Sequence, residues 1–191
     1  MTLPPDNRSA PSPSIETQYL ADVKARFQSI VTLAERAAAQ VDDASFAAPL
    51  GDEENSIALI MKHMAGNLRS RFSGFLTSDG EKPDRNRDGE FEQAPSDSRA
   101  AIMARWADGW RILFEALDAL APDDLLRTVT IRGEPHTVIQ ALSRQLVHQS
   151  QHAGQIVLLA KHAAGAKWET LSIARGQSTA FTRELAEKTR S

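Results

Sequence analysis

Residues 136–164 read HTVIQALSRQLVHQSQHAGQIVLLAKHAA. Rotated by about 100° per residue, the run gathers Ala141, Gln145, His148, His152, Gln155 and Leu159 into one stripe, beside Val138, Leu142 and Ile156. This is the pattern of a long helix with one inward face, beginning near His136 or Thr137 and ending ahead of Gly165. His148 and His152 lie on that face one turn apart. A helix that must be buried therefore takes two imidazoles inward with it.

Three further helices follow from the same period. From Ser14 to about Val41, Ile15, Tyr19, Val23, Phe27, Ile30, Leu33 and Ala37 recur at helical spacing. After the turn-like DDASFAAPLGDEEN, Asn55 is placed to cap a second helix through Leu59, Ile60, Met64, Leu68 and Phe75, ending near Thr77. The third carries Ile102, Trp106, Trp110, Leu113, Phe114 and Leu117, and Pro122 stops it. Val129 and Ile131 then alternate before Arg132-Gly133-Glu134, the signature of a short hairpin-like excursion ahead of the last helix. The expected class is all-α, a four-helix bundle in antiparallel or crossover form, where metal and cofactor sites are built between facing helices. Residues 1–13 are expected to form a flexible leader, 14–167 the bundle, and 168–191 an extension anchored by Trp168, Leu171, Ile173 and Phe181.

Composition narrows the chemistry. The 191 residues hold 22 Lys and Arg against 25 Asp and Glu, so the net charge of -3 supplies no basic field for nucleic acid or an anionic bilayer. No cysteine is present, which excludes disulfides, thiolate ligands and a cysteine nucleophile. A bound metal must use His, Asp or Glu. The N-terminal stretch has no signal-peptide pattern and no segment has the apolar length of a membrane span, so the expected location is the cytosol and no membrane partner is expected.

Imidazoles at i and i+4 lie about 5–6 Å apart at Cβ, close enough to share one ion. His63, on the inner face of the second helix beside Leu59, Ile60 and Asn67, can supply a third ligand. Three imidazoles would hold a divalent metal, Zn²⁺ or Ni²⁺, and leave a position open for water or substrate. Asn67, Gln151 and Gln155 are candidates to orient the ring N–H groups or a bound water. Spacing alone leaves a second reading open, in which the histidines are hydrogen-bonded core residues. His136 and His162, at a helix start and in a last turn, read as structural or solvent-facing.

The stretches KHMAGNLRSRFSGFLTSDGEKPDRNRDGEFE, HQSQHAGQIVLLAK and WETLSIARGQSTAF resemble a branch of the DinB/YfiT-like metalloenzyme superfamily, over roughly residues 14–182. The resemblance implies a DinB-like four-helix bundle, a three-histidine metal site carried onto His63, His148 and His152, and a homodimer. Some members of the superfamily transfer or isomerise with low-molecular-weight thiols, and many have no known reaction. The resemblance thus implies a thiol S-transferase, with hydrolysis as the other metal chemistry; the alternative is a non-catalytic, stress-associated bundle that binds a metal or small ligand.

The loop over 78–97 has no periodicity and a dense charge pattern, and segments of that length in compact domains are functional or disordered. It follows the helix that bears His63, so Arg85 and Arg87 are candidates to bind a carboxylate-bearing small-molecule substrate; a solvated, self-paired charge cluster is the competing reading. Trp106 and Trp110 read as core or dimer packing. Ser150 points away from the histidine stripe, which removes a Ser–His nucleophile, and no residue stands out as a catalytic group beyond the metal ligands.

Overall fold

The computed structural model describes residues 13–189, so the leader expected over 1–13 lies almost wholly outside the described residues. Its architecture is all-α with one small sheet. In chain order come α1 (Ile15–Ala38), α2 (Asp43–Ala47), α3 (Ile57–Phe72), α4 (Arg99–Asp118), β1 (Thr128–Ile131), β2 (Glu134–Thr137), α5 (Val138–Ala164) and α6 (Ser178–Lys188). Short 3-10 turns interrupt the connections, one of them over Asp88–Phe91. Among the described residues no helix is long and apolar enough to cross a membrane.

Each long helix starts where a hydroxyl can satisfy an orphan backbone N–H. Ser14 accepts from Thr17, Ser56 from Leu59, and Ser98 from Ala101. The α3 cap is therefore Ser56, one residue beyond the expected Asn55. At α5 the cap is reciprocal: Thr137 Oγ1 accepts from the Gln140 amide while Gln140 Oε1 accepts from the Thr137 amide. α3 stops at Phe72 rather than near Thr77, because Ser73 turns extended and Gly74 takes φ +61°. The stretch expected to be a plain turn after α1 contains α2, capped by Asp42 and anchored by buried Phe46.

α3 packs along α4 and against α5, while α1 packs along α5 and against α4. Phe27, Met61, Met64, Leu68, Ile102, Trp106, Leu113, Leu142 and Ile156 fill the space between them and are inaccessible to solvent or nearly so. Trp106 and Trp110 both sit in this core, which removes them from any interface with another chain. Trp106 Nε1 donates to Glu35 Oε1 at 2.9 Å. α3 and α4 approach closely enough that a Cβ on Gly109 would stand 2.9 Å from the Ala65 carbonyl oxygen.

β1 and β2 form an antiparallel hairpin, Thr128 opposite Thr137 and Ile131 opposite Glu134. Arg132 and Gly133, at φ +57° and +76°, make its two-residue turn. Beyond α5, the Gln40 side-chain amide holds the Glu169 backbone through both its groups, at 3.0 and 2.7 Å, and Trp168 and Leu171 pack against the core. α6 buries no residue.

Candidate metal centre

His63 is delivered by α3, and His148 and His152 by α5. The buried stripe of α5 runs through Val138, Ala141, Leu142, Gln145, Gln149, Ala153, Ile156 and Ala160. The two histidines lie at its edge and are half-buried, while His63 is buried. One ligand atom from each imidazole lies within 4.8 Å of the others, a group able to hold a metal ion. Nε2 of His63 and Nε2 of His148 are 3.3 Å apart. Tetrahedral imidazole ligands at ~2.05 Å from an ion would stand roughly 3.3 Å from one another.

The other ring nitrogens are where a donor set needs them. His63 Nδ1 lies 2.8 Å from Glu90 Oε2, and His152 Nδ1 lies 2.7 Å from Gln155 Oε1. Both partners accept, so Nδ1 carries the hydrogen and Nε2 keeps its lone pair. Burial, then the neighbouring His152 and His63, push the His148 pKa down to about 3. Burial also lowers His152, against the hydrogen bond to Gln155. Both stay neutral at pH 7, the form whose lone pair binds a cation. Nδ1 of His148 is buried without a hydrogen-bond partner among the described residues.

Glu90 comes from the 3-10 turn in the charged loop. Burial opposes its ionisation, but hydrogen bonds from His63 and Arg85 outweigh this and hold its carboxyl below the usual range. Arg85 donates to both oxygens, at 2.9 and 2.8 Å, and adds a long contact to Glu81 at 3.4 Å. Phe91 stacks on the His63 ring at 4.5 Å between centroids, and Arg87 lies over Phe91 at 5.4 Å. The loop thus folds onto the α3 side of the cluster. Gly66 makes room for it, since a Cβ there would stand 2.2 Å from Glu90 Oε1.

Glu90 and Phe91 were not among the residues selected from sequence. The signal was only their place in DGEFE, within one of the stretches that carry the family resemblance; no period marks them. Asn67 does not touch a ligand imidazole and instead accepts from Gln145 Nε2 at 2.8 Å in the buried interior. Gln155 does hold a ligand ring. Gln151 is exposed, on the outward stripe with Val147 and Leu158, and makes no hydrogen bond to a ring nitrogen among the described residues; the helical phase turns it away. Arg85 is turned inward to Glu90, whereas Arg87 is half-exposed and lines, with His63 and His148, a cavity of about 210 Å³. His136 lies in β2, partly buried, and His162 is exposed in the last turn of α5, both outside the three-histidine group.

No curated protein matches the chain significantly. A family model described as a protein of unknown function, DUF1572, matches residues 14–177, from the α1 cap to the residue before α6. Because the match covers most of the chain, the protein belongs to the DUF1572 family.

Proposed function

We propose that the protein is a DinB/YfiT-like four-helix bundle whose His63, His148 and His152 hold a divalent metal, Zn²⁺ or Ni²⁺, as the centre of a thiol-dependent transferase. The observation that carries this reading is the convergence of three imidazoles from two helices, with His63 braced by a buried carboxylate. Packing alone does not require three imidazoles to bring one ring nitrogen each within 4.8 Å of the others, two of them 3.3 Å apart.

The chain's own residues supply order. Glu90 fixes the tautomer and orientation of His63, as carboxylates behind ligand histidines do, and Gln155 does the same for His152. Phe91 covers one face of His63 and keeps water from it. A divalent ion held by His63, His148 and His152 would supply the acidity that turns a thiol or water into a nucleophile near neutral pH without a protein cysteine. The nearby cavity then gives a small substrate access from the side of Arg87.

A cytoplasmic homodimer completes the proposal. Its support is the outward stripe of α5, where Val147 and Leu158 are 60% and 65% exposed on the same helical face. The function is tested by incubating metal-loaded protein with a low-molecular-weight thiol and an electrophile. Consumption of the thiol that disappears in His148→Ala is the expected result. A bound metal without turnover would favour a binding protein instead.

A further inference from the structure

The cavity beside the histidines is lined by guanidinium groups from four separate parts of the chain. Arg71 comes from α3, Arg85 and Arg87 from the charged loop, Arg132 from the hairpin turn and Arg144 from α5. The net charge of the chain is negative, so this concentration is local. The carboxylates that neutralise it are too few. Glu81 is shared by Arg71, Arg132 and Arg85, at 3.0, 3.0 and 3.4 Å. Glu90 serves Arg85 and His63 together. Arg87 reaches only the 95% exposed Asp88, at 4.0 Å, and Arg144 makes no ion pair among the described residues.

The hairpin turn adds an independent observation. A turn with both central residues at positive φ favours Asn or Gly, and a side chain with a long stem is strained there. Position 132 nevertheless carries Arg, at φ +57°, with Nε on Glu81 at the cavity edge. The cavity floor is polar as well, since Asn67 and Gln145 lie in its wall next to His63 and His148.

We propose that this cavity binds a small dianion, carrying carboxylate or phosphate oxygens, through Arg87 and Arg144, with the ligand's other end at the histidine cluster. Guanidinium groups left without a close carboxylate in a concave, polar-lined cavity attract anionic oxygens and match their geometry in pairs. At about 210 Å³ the site takes a compact molecule rather than a nucleotide or polymer. The placement of the ligand's far end rests on the proposed metal centre, while anion binding itself does not.

The test is calorimetric titration of the full chain, both as purified and after chelator treatment, with succinate, inorganic phosphate and propionate at low ionic strength. Saturable binding of succinate or phosphate is expected, with propionate weaker by about tenfold or more. Arg87→Ala and Arg144→Ala should each weaken the dianion by about tenfold. Arg111→Ala should not, because Arg111 is on α4 and paired within its own helix to Asp108 and Glu115. Circular dichroism should show both cavity variants folded, since neither side chain is tied into the core. The tighter of succinate and phosphate identifies a carboxylate or a phosphoryl ligand. Absence of saturable binding of either dianion, or an affinity in the Arg87 and Arg144 variants unchanged from that of the unaltered chain, overturns the proposal. The chelator-treated arm keeps this result separate from the metal reading: anion binding there survives even if the three histidines hold no ion.

Discussion

Glu90 sets the orientation of His63, and its own position depends on three neighbours: the His63 ring, the Arg85 guanidinium and the bare backbone at Gly66. Glu90→Gln keeps the volume but removes the charge that favours the Nδ1–H tautomer. Metal affinity should fall by about 10–100-fold, as for other residues behind histidine ligands, with folding retained. Titration against a competing chelator measures this, and an unchanged affinity would mean that Phe91 stacking alone holds the ring. Gly66→Ala reaches the same carboxylate from behind. Alanine raises helix propensity by ~1 kcal/mol, but its Cβ displaces Glu90, so stability should change little while affinity drops. A variant with lower stability and undiminished affinity would contradict that account. His63 could be read from its helical phase, but Glu90 was invisible to periodicity because it lies 27 positions further on and is joined to His63 only by tertiary structure.

Among the elements, the four long helices and the hairpin were legible in the sequence because their signals are local: a 3.6-residue apolar period, hydroxyl caps, and Arg-Gly between alternating residues. The loop after α3 was not, because side-chain-to-backbone bonds across long separations hold it. Ser70 Oγ donates to the Gly80 carbonyl and accepts from the Lys82 amide, and Gly80 N–H donates to the Thr130 carbonyl. Asp79 joins loop to hairpin by accepting from the amides of Glu81, Arg132 and Gly133. Those amides of Glu81 and Gly133, chiefly, lower its pKa from 3.8 to about 2. A depressed carboxyl stabilises the fold above its unfolded pKa and loses that contribution as pH falls through the folded value. Acid should therefore loosen the loop–hairpin junction between about pH 4 and 2, and Asp79→Asn should flatten this part of the curve. Denaturation at pH 5 and at pH 2.5 compares the two proteins; parallel losses would rule out Asp79 as the source. Gly109→Ala belongs to the same scale. Its Cβ meets α3 backbone rather than a movable side chain, so α3 and α4 must separate, at a cost of about 1–3 kcal/mol in chemical denaturation. A neutral effect would show that the two helices yield easily.

At the scale of the whole molecule, the class and the meeting of His63 with the α5 histidines follow from which faces are apolar, and that much could be read from sequence. How far each histidine is buried could not, because the inward stripe of α5 is centred on Gln145, Gln149 and Ala153 and leaves His148 and His152 at its margin. That margin is what gives the cluster both a dry side and an opening. The outward face of α5, with Val147 and Leu158, predicts association: light scattering should return a dimer mass, and Leu158→Glu a monomer, whereas a monomer mass for the unaltered chain over a wide concentration range would remove the dimer. The central claim is that three of the five histidines form one metal site. An ion bound only by the folded state stabilises it by ~2.7 kcal/mol at a hundredfold excess over Kd. Metal content should be measured on the five single alanine variants, with melting temperature beside it. The account predicts that His63→Ala, His148→Ala and His152→Ala lose the metal and melt lower, while His136→Ala and His162→Ala keep it. Equal retention in the first three, or equal loss in the last two, would contradict it.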